Sequence, residues 1–208
     1  MARDDIAGAV AQLGLSLPED VWRGLEIHVG ALLKWQRSIN LVSRSTLDEV
    51  WTRHVLDSLQ LLPLIPAGAR TLVDLGSGAG FPGLVVAIAR PDLSVRLVES
   101  DNRKAVFLGE VARQAAPTTV IVNKRIEAAA PDPADVITAR ALAPLPELLD
   151  WAHRFTIDPT ICLFHKGRSI DDELTDAERR WMMTMDRVPS VTAPDAAILR
   201  VARLRPRR

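Results

Sequence analysis

The chain has 208 residues, 48% hydrophobic and 25% charged, enough apolar material for a sizeable core and too much for a disordered polypeptide. Lys and Arg total 26, as do Asp and Glu, so the zero net charge excludes nucleic-acid binding through bulk charge and leaves such a role to local patches. A lone Cys162 in apolar "TICLF" excludes an internal disulfide framework and reads as a small core residue. No run reaches the roughly 18 apolar residues of a membrane span, and the start "MARDDIAGAV" does not fit a secretory signal, so a cytoplasmic protein is expected.

The first 70 residues read as helical. In "LPEDVWRGLEIHVGALLKWQRSI", Val21, Leu25, Leu32, Trp35 and Ile39 recur at mixed three- and four-residue spacing, and Pro18 with Glu19 and Asp20 suits a helix start. After the polar "NLVSRST", a second helix is expected through Leu47, Trp51, Val55, Leu59 and Leu62 until Pro63, capped by Ser45 or Thr46. From residue 70 the rhythm changes to β-rich runs: "TLVDL", "SVRLVE", "TTVIVN", "DVITAR" and "TICLFH". Helix-length segments begin near Phe81, Asn102, Leu145 and Ser169. This alternation predicts a mainly parallel sheet with right-handed crossovers. "WMMTMDRV" and "AILRVARL" follow with no helix between them, which predicts an antiparallel pair at one edge. The final arginines, 200, 203, 205, 207 and 208, read as a solvated end with a disordered tip. The division expected is a helical extension over 1–66 and a compact α/β unit over 67–208.

"TLVDLGSGAGFPG" carries two glycine patterns. Gly78, Gly80 and Gly83 match the dinucleotide fingerprint, whereas Asp74, Gly76, Gly78 and Gly80 suit an S-adenosylmethionine (SAM) loop with Ser77 inside it. The glycines admit positive φ and close approach of a ligand, and a helix from Phe81-Pro82 would turn its N–H groups toward that ligand. Glu99, 21 residues after Gly78, stands where an acid accepts ribose hydroxyls, which either cofactor possesses. Three features favour SAM. Asp74 can reach the loop or an ammonium but would repel a pyrophosphate, no Tyr is available for a Tyr-x-x-x-Lys hydride-transfer site, and no separate substrate domain follows the sheet. Ile126 offers an apolar face to adenine and Glu127 an acceptor to its amino group. Arg140, at the end of the fourth strand, faces the same crevice and could hold the SAM carboxylate or a phosphate. Phe81 could stack on adenine or simply close the helix entrance. The histidines and Cys162 have no metal-ligand spacing, so no metal is expected.

The segments "LLKWQRSINLVS", "WTRHVLDSL", "VDLGSGAGFPGL", "LVESDNRKAVFL", "RIE", "ITARALAPL" and "FHKG" together resemble the bacterial 16S ribosomal RNA guanine-N7 methyltransferases, the RsmG or glucose-inhibited division protein B family. The likeness spans nearly the whole chain. Its specific parts are the Arg53-His54 to Asp57-Ser58 segment and the Phe-Pro-Gly after the loop. It implies a Rossmann-like SAM-dependent methyltransferase fold: a seven-stranded mixed sheet behind an N-terminal helical extension. It also implies SAM contacts from Gly76, Phe81, Ile126, Glu127 and Arg140, with Glu99 on the ribose. The family usually has Thr after Asn-Leu, where this chain has Val42-Ser43, and many members have Asp in place of Glu99.

Guanine N7 carries a lone pair and no proton, so methylation there needs no general base; alignment of donor and acceptor carries the rate. Candidates for positioning the guanine are Arg53, His54, Arg140 and Lys166, and candidates for RNA contact add Asn40 and Arg44. Lys34, Arg37, Arg44 and Arg53, with the arginine tail, could form a basic rim. Arg53 and Asp57, four residues apart, could instead pair with each other, and His54 could be a satisfied structural histidine. N7 faces the deep, narrow major groove of A-form RNA, so an unstacked or looped target on the small ribosomal subunit is expected, read by a monomeric enzyme. SAM-dependent methylation of another substrate stays open at this point.

Overall fold

A computed structural model describes residues 3–168 and 170–207. Ser169, the expected start of a helix, and Arg208, the last of the terminal arginines, lie outside the described residues, as do Met1 and Ala2.

Five strands run parallel: β1 (Thr71–Leu75), β2 (Ser94–Val98), β3 (Val120–Val122), β4 (Val136–Arg140) and β5 (Ile161–Lys166). Two more, β6 (Trp181–Pro189) and β7 (Ala197–Pro206), form an antiparallel hairpin whose second strand pairs with β5. The order β3-β2-β1-β4-β5-β7-β6 makes a seven-stranded mixed sheet, and the expected antiparallel edge is present. β7, the later strand, lies inside the sheet and β6 is the edge. The terminal arginines through Arg205 therefore belong to a paired strand, with Arg200 bonded to Asp186 at 3.0 Å, and not to a loose tip.

The chain leaves β1 for β2 on one side and later for β4 on the other. That reversal opens a crevice at the carboxyl ends of the strands, the usual ligand position in such sheets. Asp74 sits at the switch, in register with Leu97 of β2 and Thr138 of β4.

The N-terminal helices pack on this sheet. α1 (Asp4–Gln12) and α2 (Glu19–Trp35) bury Ile6, Val10, Leu25 and Leu32. One continuous apolar cluster joins them to Leu84, Leu97 and Phe107, so packing does not break at residue 66. The expected second helix is shorter and interrupted. Residues 44–46 form a 3-10 turn, Trp51–Leu56 a π-helical turn, and only Asp57–Leu59 is α-helical, here α3. Neither Ser45 nor Thr46 caps it, because the Thr46 hydroxyl is bonded to the Ser43 carbonyl and faces His54. A π turn widens the backbone spiral and is frequent at functional sites; this one carries Arg53 and His54.

The crossover helices are α4 (Gly83–Ala89), α5 (Asn102–Ala115), α6 (Leu145–His153) and α7 (Ile170–Arg180). Between β3 and β4 there is only a 3-10 turn, Ile126–Ala128. Cys162 is buried, and burial pushes its thiol up to about 12. Among the described residues no helix is long and apolar enough to cross a membrane.

Candidate functional site

A cavity of about 700 Å³ opens at the carboxyl ends of the strands, within the usual size range of small-molecule sites. Its wall holds Gly76, Ser77, Gly78, Phe81, Glu99, Ile126 and Glu127, together with Arg53, His54, Arg140 and Lys166. Residues spread over more than a hundred positions of sequence are thus gathered at one mouth. Asp74, Asn40 and Arg44 are not on this wall.

The glycine loop is built as a cradle. Gly76 has φ +66°, a backbone that strains any L side chain, and a Cβ there would press against the Leu142 side chain of the β4–α6 loop. Ser77 N–H donates to Val98 O at 3.0 Å, and the Ser77 hydroxyl donates to Asp74 O at 3.1 Å, closing the turn. Glu99, 7% exposed, accepts the Gly78 N–H through Oε2 at 2.8 Å and the Asp101 N–H through Oε1 at 2.7 Å. Each carboxylate oxygen has a second lone pair, so Glu99 can brace the loop and still accept from a diol. The loop, Glu99 and the apolar Ile126 together fit a donor with a ribose and an adenine.

Asp74 is placed differently from the sequence expectation. It is fully buried under the loop, where Oδ1 accepts the Thr138 hydroxyl at 2.7 Å. Burial pushes its carboxyl up to about 6, against that hydrogen bond, which favours the charged form. A Cβ on Gly83 would stand 2.6 Å from Asp74 Oδ2, so the start of α4 faces this side chain and not a ligand. The helix itself begins at Gly83, with Pro82 just before it. Asp74 is therefore a support beneath the loop and does not line the cavity.

Phe81 is also occupied. It is 4% exposed, with the His28 ring stacked at 4.7 Å, the His54 ring at 5.1 Å and the Arg140 guanidinium 5.1 Å from its centroid. Little ring is left for adenine, so Phe81 closes the entrance and organises the groups around it. His28, fully buried in α2, reaches the Ala79 carbonyl at 2.7 Å and ties the helical extension to the loop. Burial lowers its imidazole to about 4, so the ring is neutral and donates from Nε2.

Arg140 is the centre of the opposite wall. Its Nη1 donates to Arg53 O at 3.1 Å, His54 Nδ1 at 2.9 Å and Asp57 Oδ2 at 3.3 Å. The tautomer of His54 follows. Burial, and then the Arg140 charge, lower the ring to about 4, so it is neutral; Nδ1 accepts from Arg140, and Nε2–H donates to Thr46 Oγ1 at 2.8 Å. The Thr46 hydroxyl in turn donates to Ser43 O at 2.8 Å. His54 is thus a relay of hydrogen bonds and is poorly suited to gain a proton.

The Arg53–Asp57 pair anticipated as an alternative does not form among the described residues. Asp57 is taken by Arg140 instead, and the exposed Arg53 side chain stands on the cavity rim. Lys166 is committed inward. Its side chain is 8% exposed and donates to Glu173 Oε2 at 2.5 Å and Ala143 O at 2.9 Å. The Leu145 N–H also donates to Glu173 at 2.7 Å, so the Lys166 amine, though Lys166 lines the cavity, is engaged in fixing the β4–α6 loop. Asn40 and Arg44 are exposed on the segment flanking the cavity, and Asn40 accepts a long 3.4 Å contact from Gln36.

Several wall residues escaped the sequence reading. Asp57 was seen only as a partner for Arg53, although its place beside Arg53-His54 was the available hint. His165, whose Nε2 lies 2.8 Å from Asp57 O, carries no spacing signal. Ser190 and Thr192 reach the wall only because the β6–β7 loop folds back on it.

Comparison with known proteins agrees with this geometry. The family model for GidB, described as rRNA small subunit methyltransferase G, matches residues 22–199. A ribosomal RNA small subunit methyltransferase G of Paramagnetospirillum magneticum is 54% identical over 176 residues, covering 84% of this chain and 85% of that protein. Another, from a Methylobacterium species, is 46% identical over 210 residues and covers 98% of both chains. Among solved structures, the ribosomal protein L11 methylase of Lactobacillus delbrueckii subsp. bulgaricus superposes with a TM-score of 0.56. That match covers 70% of this chain and 75% of the other at 17% identity, a likeness of fold alone.

Proposed function

We infer the function from one premise: the chain belongs to the rRNA small subunit methyltransferase G family. On that premise it transfers a methyl group from SAM to N7 of a guanine in 16S ribosomal RNA. The observation that carries this reading is the wall of the cavity. Gly76, Gly78, Glu99 and Ile126 stand along one side of it, and Arg53, His54 and Arg140 along the other.

When bound, SAM supplies a methyl group on a positively charged sulfur. Glu99 accepts the ribose hydroxyls with the lone pairs that Gly78 and Asp101 leave available, and Ile126 covers one face of the adenine. Glu127, exposed at the same edge, accepts from the exocyclic amine. On the acceptor side no residue has to remove a proton, because N7 has none. That agrees with a cavity wall whose histidines, His54 and His165, are both shifted toward the neutral form, chiefly by burial. Arg140 and Arg53 offer N–H donors to guanine O6 or to a phosphate, and the rate comes from alignment, an effect worth up to about 7–11 kcal/mol.

Residues 1–66 act in this reading as a helical extension that roofs the site, and 67–208 as the SAM-binding unit. Arg44, Arg53 and Asn40 form part of the RNA rim, the protein works as a monomer in the cytoplasm, and no metal takes part. Purified protein with tritiated SAM and small ribosomal subunits should label 16S RNA, and primer extension should map the label to an N7-methylguanine. Label absent from 16S RNA, or present at another kind of atom, would overturn the reading.

A further inference from the structure

The β6–β7 loop, residues 190–196, turns back over the cavity and is tied to the N-terminal half of the chain. Val191 N–H donates to Gln60 Oε1 at 3.0 Å, and Thr192 Oγ1 donates to Asp57 Oδ1 at 2.6 Å. Gln60 Nε2 donates to the same Asp57 oxygen at 2.8 Å and reaches Ser190 Oγ at 3.3 Å. The second Asp57 oxygen is left for Arg140 Nη1 at 3.3 Å, with His165 Nε2 at 3.5 Å. The Asp57 and Arg140 side chains are only 14% and 17% exposed, so this ion pair is shielded from water on most sides.

Methyl transfer to an unprotonated nitrogen does not call for a carboxylate in this place. What the carboxylate does is geometric. A poorly solvated guanidinium needs an anion to keep its direction, and an anion bonded at one oxygen only could rotate. Thr192 and Gln60 hold Oδ1, which leaves Oδ2 aimed at Arg140. The loop residues that make this clasp line the β5–β7 side of the cavity, away from the Glu99 and Gly78 side.

We propose that Asp57, fixed in orientation by the Thr192 hydroxyl, is the positioning residue for Arg140, so that the β6–β7 loop shapes the acceptor side of the cavity. The proposal rests on the reading of the acceptor as a guanine of 16S RNA. Its consequence is a loop that acts on RNA without touching the methyl donor.

The test compares full-length wild type with Thr192→Val, which keeps shape and loses the hydroxyl, and Thr192→Ser, which keeps the hydroxyl. Three quantities are read: SAM affinity by calorimetry, KM for small subunits, and the NMR resonance of His54 Nδ1, which accepts from Arg140. Thr192→Val should raise KM about ten-fold, the usual consequence of losing one hydrogen bond to a charged group. SAM affinity should be unchanged, the His54 Nδ1 resonance should move toward that of a free ring nitrogen, and Thr192→Ser should reverse both changes. The proposal is overturned if Thr192→Val leaves KM and the His54 resonance at their wild-type values, or if SAM affinity falls in parallel with KM. If wild type itself transfers no methyl to small subunits, the functional reading fails alone, and the His54 resonance still decides on the clasp.

Discussion

The carboxylate of Glu99 accepts the backbone N–H of Gly78 at 2.8 Å, joining the end of β2 to the glycine loop across 21 residues of sequence. One side chain therefore shapes the loop and lines the cavity, where the proposed function puts the ribose. Glu99→Ala should weaken SAM binding by about 10–100-fold, the range expected for lost hydrogen bonds to a charged group. Glu99→Gln can keep one acceptor oxygen and should fall between Ala and wild type. Calorimetric titration with SAM checks both, with circular dichroism to confirm an intact fold; undiminished binding by Glu99→Ala would remove the ribose role.

Gly76 stands where a side chain is strained and crowds Leu142. Gly76→Ala combines a left-handed backbone at φ +66° with a Cβ 2.4 Å from Leu142 Cδ1. The backbone strain alone is about 1–2 kcal/mol, which corresponds to a fall in Tm of roughly 2–8 °C. Because Leu142 must move and it lines the cavity, SAM affinity should fall as well. A thermal melt with and without SAM measures both: the variant should melt lower and lose most of the ligand-induced rise.

Acid sensitivity follows from three buried groups. His28 and His54 are lowered from 6.5 to about 4, chiefly by burial. In the unfolded chain they bind protons first, so the stability they contribute is full above pH 6.5 and is lost as pH falls toward 4, by about 3 kcal/mol each. Asp74 acts in the opposite sense. Its carboxyl is raised from 3.8 to about 6, so its contribution is full below pH 3.8 and lost as pH rises through 6. The protein should lose stability on acidification from pH 7 to 4.5, and Asp74→Asn, which can keep the Thr138 bond, should lose more than wild type. Urea midpoints at the two pH values check the sign; a smaller loss in Asp74→Asn would contradict it.

Arg53 stands exposed on the rim, and no ion pair engages it among the described residues. If it meets a phosphate, Arg53→Ala should weaken RNA binding and reduce the slope of log affinity against log salt by about one. Lys166→Ala is the contrast. Its amine is bonded to Glu173, so the variant should change thermal stability and leave the salt slope at its wild-type value. Filter binding to small-subunit RNA over a salt series measures the slopes, and an unchanged slope in Arg53→Ala would place the RNA elsewhere.

The sheet was legible because strand and helix alternate from residue 71 onward, and the hairpin because no helical pattern separates its strands. The place of Glu99 and the glycines on the cavity wall was legible because it depends on short spacing and a strand–turn–helix context. Lys166 and Phe81 were read less well for one reason: sequence shows which end of a strand or helix a side chain occupies, but not which neighbour reaches it first. Lys166 met Glu173 of α7, and Phe81 met His28 of α2. Of the two partners expected for Asp74, the loop or an ammonium, the structure shows the loop; the depth of its burial was not legible because it depends on the close packing of Gly83. The broken second helix had a regular apolar pattern, yet the π turn that interrupts it leaves no mark in hydrophobic spacing.

The position of β7 inside the sheet governs the order in which the molecule can be completed. The five parallel strands are all present once residue 166 has been synthesised, but the strand that pairs with β5 begins only at Ala197. The residues that tie down Asp57 and Gln60, at 190–192, arrive just before it. A nascent chain therefore carries the glycine loop, Glu99, Asp57 and Arg140 well before the loop that ties down Asp57. A chain ending between residues 166 and 190 would hold the glycine loop and all five parallel strands but lack the segment that closes the β5–β7 side of the cavity.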